Sequence, residues 1–490
     1  MFLRRKKKIS ELLETVSEML GVLNNLQNPE NAIYDCLAAL EAISIQLDRE
    51  EIKPKKTVEQ LQIIEKSFEN LLSNDTLFNE NFITDLINQV FSLKVLFNEE
   101  VKTKLKVVFF PYKASMWDSL ASVYESAVED ENCEARVVPI PYYQLSKNGA
   151  IPTYEGEHFP ADIPITHYSE YILEEEQPDI IFIHNIYDQY NTLTRVYKEY
   201  FTFNLKKYTD MLVYVPYYIS SFISHKKGEG FYPYSNPSIK NIDKIILIND
   251  VEKEKAIREG ISIDKILVAG SPKLDAMINA LSKEIDYPIE WKEKINGKTV
   301  YLVDTGCLYF ANQPFKALEH LIDIFNIPRF IENSIIIWRP HPLTKTSILK
   351  YVPFFFEYYQ NLTRTSIKED PLYKDIIFDE TDSYFPALVA ADVIISKEGS
   401  LLNAYLLTEK KVLYWGENMP ENSLLPPNVF YYVMDRSEPW FELVKKFSKG
   451  YDPLAKNRKG IAKKLYINPD GTSGKKIYLA IKNEVLKISN

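Results

Sequence analysis

From residue 105 onward the chain alternates short apolar runs with stretches of helical periodicity, and this alternation restricts the fold more than any other feature of its 490 residues. Apolar runs of a few residues bounded by turn signals read as strands buried on both faces, the pattern of a parallel sheet covered by helices. Such strands are expected over 105–111, 135–140, 179–184, 211–216, 244–248 and 265–269, with a helix over 115–130 opened by Ser115 and Asp118 at capping-box spacing. A second set is expected over 299–303, 334–338, 375–378, 393–396 and 412–415. Residues 282–297 lack strand signals and read as a linker. The insert 141–171, rich in Pro, Tyr and His, reads as a loop over a cleft. The fold class is therefore α/β: two doubly wound, Rossmann-like domains facing each other, over 101–285 and 286–490, with a last helix over 472–488 that packs back on the first.

The stretch 1–100 has almost no Gly or Pro and reads as a separate helical domain. Leu12, Leu13, Val16, Met19, Leu20 and Leu23 recur at helical spacing, Asn28-Pro29 reads as a cap with proline at the first helical position, and Thr57 with Gln60 resembles a capping box. Three or four such helices make a bundle that packs on the next domain or on a second copy of the chain. A sharper role sets Arg4, Arg5, Lys6, Lys7 and Lys8 against an anionic membrane leaflet as a peripheral contact, each charge contributing up to ~1 kcal/mol.

Composition narrows the class. With 46% hydrophobic and 26% charged residues the chain is globular rather than disordered. Its longest apolar runs fall far short of the ~20 residues of a spanning helix, and no signal-peptide core follows the basic N-terminus. The expected location is cytoplasmic, at most on the inner face of the cell membrane. Cys36, Cys133 and Cys307 are widely separated, with no metal-ligand spacing, and read as reduced and structural. A net charge of −10 argues against nucleic-acid binding. The 33 Tyr either line a sugar- or polyol-binding cleft or complete core edges.

The chemistry concentrates at strand ends. The run 335–338 stops at Arg339-Pro340-His341-Pro342, which sets a planar cationic fork and a proton-moving imidazole where open α/β sheets bind ligands. The plain alternative pairs Arg339 with a surface carboxylate and leaves His341 merely solvated. Val303 is followed by Asp304-Thr305-Gly306, and Ile395 by Ser396-Lys397-Glu398-Gly399-Ser400, where a Gly-Ser step opens a helix over 401–407. Free N–H groups and the positive dipole end at such a step suit a pyrophosphate, or the step is only a cap. Glu398 would repel phosphate and reads either as an acceptor for ribose or polyol hydroxyls or as a solvated residue. Further strand ends carry Pro111-Tyr112-Lys113, His184-Asn185 and Gly270-Ser271-Pro272-Lys273. No Walker loop, Rossmann glycine fingerprint, HExxH, GxSxG or Asp-x-Asp metal pair appears. This pattern favours a metal-independent transferase acting on a nucleotide-diphosphate donor, without a cofactor.

In this order the segments from about residue 105 to the end resemble the CDP-glycerol glycerophosphotransferases of teichoic-acid and capsule assembly. The matching pieces are Gly270-Ser271-Pro272-Lys273-Leu274-Asp275 for the family's Gly-x-Pro-basic-x-Asp element, the stretch 301–306, Arg339-Pro340-His341-Pro342, Ala391-Asp392 through Ser400, and Pro469-Asp470-Gly471-Thr472 for its closing motif. The resemblance implies the two-domain GT-B fold and transfer of glycerol phosphate or a related polyol phosphate from a CDP-linked donor to a polymer or lipid-linked acceptor. It also implies that His341 acts on the diphosphate and that Ser400 with nearby amides holds phosphate. Two segments depart from the family. Its Trp-His-Gly-x-Pro segment is replaced by 212–218, which has no His, and its Asp-Tyr-Ser-Ser is here Lys397-Glu398-Gly399-Ser400. His184 either stands in for the missing His or is structural. Two rivals stay open: a glycosyltransferase using a nucleotide sugar, and a non-catalytic nucleotide-binding or assembly protein of the same fold.

Overall fold

The computed structural model describes the chain except residues 74–78, 147–148, 220–233, 285, 398, 420–422, 424, 434–438 and 489–490. It divides into two compact units, one of Met1–Val107, Asp130–Glu134 and Glu484–Asn490, the other of Val108–Glu129 and Ala135–Asn483. No described helix is long and apolar enough to cross a membrane.

The first unit holds four helices: α1 (Leu3–Val22), α2 (Pro29–Asp48), α3 (Lys55–Ser73) and α4 (Glu80–Glu100). Leu13, Val16 and Leu20 on α1, Leu40, Ile43 and Leu47 on α2, Leu61, Ile64 and Phe68 on α3, and Val90, Leu93 and Phe97 on α4 are each no more than 1% exposed. Spaced three or four apart, they give each helix one apolar stripe, and each helix packs on two neighbours as in a four-helix bundle. Pro29 opens α2 as expected. Thr57 does not cap α3. It lies within the helix and gives its N–H and hydroxyl to Glu100 Oε2 at 2.8 and 2.9 Å. Arg5 and Lys6 of the basic N-terminus are engaged within this unit. Arg5 pairs with Glu50 at 3.0 Å, and the buried Lys6 donates to the Val101 carbonyl at 2.6 Å.

A first sheet holds β1 (Leu105–Phe110), β2 (Cys133–Val137), β5 (Ile180–Ile183), β7 (Met211–Tyr214), β8 (Lys244–Leu247) and β9 (Ile266–Val268) in the order β2-β1-β5-β7-β8-β9. A second sheet has β10 (Thr299–Thr305), β11 (Ser334–Pro340), β12 (Ile376–Phe378), β13 (Val393–Ser396), β14 (Lys411–Tyr414) and β15 (Tyr431–Tyr432) in the order β12-β11-β10-β13-β14-β15. All its pairings are parallel. From β10 the chain builds outward to β12 and then returns to add β13 on the other side, so the order reverses between β10 and β13. Ligands of doubly wound sheets bind at such a reversal. Every residue of β11 is buried, as a central strand covered on both faces requires.

Three expectations are corrected. The insert 141–171 is not an unstructured loop: β3 (Tyr142–Ser146) and β4 (Gly149–Thr153) form an antiparallel hairpin, and β6 (Thr194–Val196) adds to it. The supposed linker contains the helix Ile289–Ile295. The helix over 115–130 is broken into a 3₁₀ stretch, Ala114–Ser119, and a helix, Ala121–Val128, and Asp118 bonds to Lys273 instead of capping.

Candidate functional site

Because β10, β11 and β13 run parallel and adjacent, their carboxyl ends meet. Asp304 lies in register with Arg339, Thr305 with Pro340 and Val303 with Ile395. A cavity of about 860 Å³ opens at these ends. Asp304, Thr305, Gly306, Arg339, Pro340, His341, Ser396, Lys397, Gly399 and Ser400 line it from the second sheet, with Lys273, Tyr217 and Tyr218 opposite. Glu398 lies outside the described residues.

His341 is held through its backbone and its ring. Its N–H donates to the Thr305 carbonyl at 2.9 Å, and its Nδ1 accepts the Leu343 N–H at 3.1 Å. With Nδ1 accepting, the neutral ring carries its proton on Nε2. Burial, followed by the charges of Lys113, Lys273 and Arg339, lowers the imidazole pKa to about 4. The ring is therefore a neutral donor at pH 7.

Arg339 is not the free phosphate cation expected. Its guanidinium donates to Asp379 Oδ2 at 2.6 Å, to the Thr381 hydroxyl and carbonyl at 3.2 and 2.9 Å, and to the Ser383 carbonyl at 3.1 Å. These bonds fix the turn after β12; Arg339 pairs with a carboxylate, as in the plain alternative, but the pair is buried rather than at the surface, and His341 is held by hydrogen bonds rather than merely solvated. Lys273 is likewise engaged. It donates to Asp118 Oδ2 at 2.7 Å and lies 4.5 Å over the Tyr384 ring, whose hydroxyl donates to the same Asp118 oxygen. Lys397 is exposed at the cavity rim.

Asp304 is the carboxylate that the sequence reading undervalued. Burial pushes its pKa up to about 6, opposed by the Ser396 hydroxyl bonded at 2.9 Å and by the Arg339 charge. The Thr305 hydroxyl accepts from Trp338 Nε1 at 3.1 Å and so supports the strand end. Ser400 opens the helix Ser400–Tyr405 after Gly399, but its hydroxyl accepts the Ile219 N–H at 3.0 Å, a tie across the cleft rather than a free phosphate ligand.

Four expected residues take structural places. His184 is fully buried and does not line the cavity. Its Nε2 accepts the Tyr112 N–H at 3.1 Å, and its Nδ1 bonds with the Ser119 hydroxyl at 3.1 Å. Burial, the main cause, lowers its pKa to about 3, so a catalytic role for His184 is not supported. Gly270 has φ +91°, and a Cβ there would stand 2.5 Å from the Ile467 carbonyl. Ser271 and Pro272 start the helix Pro272–Ser282. On that helix Asp275 accepts from the Ser122 hydroxyl and from the Ser473 and Gly474 N–H groups at 2.8–3.2 Å, which anchors the helix Ser473–Ile488. Of the Gly270–Lys273 element only Lys273 reaches the large cavity.

Sequence reasoning missed Lys316, Tyr217, Tyr218 and Tyr384 in the cavity wall. Lys316 lies in the first turn of the helix Pro314–Phe325 that follows the Asp304–Gly306 strand end, and that position was the available signal. Among the described lining residues Arg339 and Lys273 are held in ion pairs with Asp379 and Asp118, and the exposed Lys316 and Lys397 outnumber the one lining carboxylate, Asp304, so the site keeps a positive excess. No described cluster of His, Cys, Asp and Glu is arranged to hold a metal.

No protein-family model matches the chain. No curated protein matches it either. Among solved structures, a variant of the wall teichoic acid polymerase TagF soaked with CDPG is 13% identical, covers 88% of this chain and 98% of its own, and superposes with a TM-score of 0.50. UDP-GlcNAc 2-epimerases from Methanocaldococcus jannaschii and Neisseria meningitidis are each 13% identical over 77% of this chain and 100% of theirs, with TM-scores of 0.48. At such identities the likeness is one of fold: the chain has two Rossmann-like domains in the GT-B arrangement, with a helical N-terminal segment.

Proposed function

We propose that the chain is a transferase that moves glycerol phosphate, or a related polyol phosphate, from a CDP-linked donor to a hydroxyl of a cell-surface polymer precursor. One observation carries this reading: His341, with Nδ1 occupied and Nε2–H left for a ligand, stands in a cationic cavity at the point where strand order reverses. The acceptor oxygen forms the new bond to phosphorus. The P–O bond to CMP breaks with its electron pair on CMP, and the hydroxyl proton passes to water. Such a reaction asks the protein mainly for positioning and for stabilisation of charge on the phosphoryl oxygens. His341 donates a hydrogen bond there, while Lys316 and Lys397, both exposed in the wall, supply the field that holds the diphosphate.

A thermal-shift screen of donors tests the reading, because a ligand at 100 times its dissociation constant adds ~2.7 kcal/mol of stability. Stabilisation by CDP-glycerol or CMP is expected. Stabilisation by UDP-sugars alone would assign a sugar-transferring enzyme instead, and no response to any nucleotide would leave a protein that kept the fold without this chemistry.

A further inference from the structure

Two groups in the wall of the large cavity, Lys273 and Tyr384, come from opposite sides of the cleft and end on one carboxylate. Lys273 stands in the first turn of the helix Pro272–Ser282, and Tyr384 immediately before the helix Phe385–Ala390 that precedes β13. Asp118, in the 3₁₀ stretch Ala114–Ser119, accepts from Lys273 Nζ at 2.7 Å and from the Tyr384 hydroxyl on the same oxygen, Oδ2. The Lys273 ammonium also lies 4.5 Å over the Tyr384 ring. The two donors belong to the cavity wall, and the carboxylate lies buried behind them.

A buried ion pair is well compensated when further hydrogen bonds fill the lone pairs of its carboxylate. Asp118 falls short of that: both donors meet at Oδ2, while the buried Oδ1 has no hydrogen-bond partner among the described residues. Lys273 has three donors and gives one hydrogen bond among the described residues. The pair is held by charge more than by complete hydrogen bonding, so another oxyanion can replace Asp118 at modest cost. A phosphate group has the charge and the acceptor oxygens to do so. Lys273 also acts on the site's imidazole, since its charge is among the causes, after burial and Lys113, that lower the His341 pKa. A phosphate that meets His341 therefore stands within the field of Lys273.

We infer that Asp118 is an internal counter-anion that withholds Lys273 from the cavity's ligand, a restraint that a diphosphate relieves by taking over the ammonium and that Asp118 restores when the diphosphate leaves. While paired, Asp118 and Lys273 present no net charge to the cavity, which limits its affinity for a lone phosphate. Such a restraint suits a reaction whose nucleotide product must depart, because a cation equally free toward donor and product would hold both. The inference rests on the transferase reading for the identity of the diphosphate. The restraint on anion binding stands on Asp118, Lys273 and Tyr384 alone.

Calorimetric titration of the full chain with inorganic pyrophosphate, and separately with CMP, tests this. Asp118→Asn keeps the shape, removes the charge and should tighten pyrophosphate binding about tenfold, ~1.4 kcal/mol. Asp118→Asn combined with Lys273→Met leaves the net charge of the chain unchanged. Because no ammonium then passes to the ligand, this double variant should bind pyrophosphate about fivefold more weakly than wild type. It also answers the question if Asp118→Asn alone fails to fold, since it leaves no buried charge without a partner. Unchanged or weaker pyrophosphate binding by a folded Asp118→Asn, or a double variant that binds as tightly as wild type, would overturn the inference and make the pair a structural clamp. Absence of saturable pyrophosphate binding to wild type and to Asp118→Asn would overturn it as well. If wild type binds pyrophosphate and not CMP, the transferase reading falls instead, and the pyrophosphate comparison is still read on its own.

Discussion

Leu343 gives its backbone N–H to Nδ1 of His341 at 3.1 Å, and this bond sets which ring nitrogen bears the proton. A ring so fixed, with its pKa lowered to about 4, does not titrate between pH 6 and 8. His341→Ala should therefore slow turnover by roughly 10² to 10⁴ while donor affinity stays within a few fold, since the bond matters most as charge moves to the leaving nucleotide. Turnover in wild type should show no inflection near pH 6.5 that depends on His341. An inflection there that disappears in His341→Ala would show a titrating ring and remove the neutral-donor role.

Arg339 and Asp379 form a buried pair, so removing either partner leaves an uncompensated charge. Arg339→Ala and Asp379→Ala should each lower stability by ~3–5 kcal/mol, whereas Arg339→Met with Asp379→Leu should recover much of the loss. Denaturant unfolding of the two single variants and the double variant measures this. Equal additive losses would mean that the pair is not coupled.

Lys397 tests the cationic field without that complication, because it is exposed at the rim. Lys397→Ala should leave the melting temperature nearly unchanged and weaken CDP or CMP binding by about fivefold at low salt, ~1 kcal/mol, with less effect as salt rises. Calorimetric titration at two salt concentrations reads both effects. A salt-independent loss would point to altered structure instead.

Asp304 carries a pKa raised to about 6 by burial, so the folded chain holds this proton more tightly than the unfolded chain. Its charge therefore costs stability above pH 6, and the cost fades as pH falls toward about 4. Asp304→Asn should melt higher than wild type at pH 8 and the same near pH 4. Wild-type affinity for CDP-glycerol, whose diphosphate does not titrate in this range, should rise as pH falls from 7 to 5, because a protonated Asp304 no longer repels phosphate, and the variant should lose this dependence.

At Gly270 a side chain would meet both a left-handed backbone, φ +91°, and the Ile467 carbonyl at 2.5 Å. Gly270→Ala should cost more than ~2 kcal/mol, combining about 1 kcal/mol for the backbone conformation with the displacement of a neighbouring main chain. Unchanged denaturant stability would mean that the Gly270 turn adjusts without strain.

The strands of the two large sheets were legible because a buried strand is a local signal: 393–396 and 244–248 announce themselves by apolar runs a few residues long. The placing of His341, Asp304, Ser396 and Lys397 around one cavity followed from the same signal, since parallel strands bring their carboxyl ends together whatever the loops do. The hairpin of β3 and β4 was hidden, because Gln144, Gly149 and Pro152 interrupt the apolar pattern and its strands are held by pairing with each other and with β6. Tertiary structure alone decided which charges are free. Arg339 meets Asp379 forty residues on, Lys273 meets Asp118 155 residues away, and His184 exchanges bonds with Tyr112 and Ser119 in the core. A sequence fixes where a cation stands along a strand. Whether that cation faces a ligand or a carboxylate depends on which distant segment the fold brings within about 3 Å, because ion pairs and hydrogen bonds act only at such range.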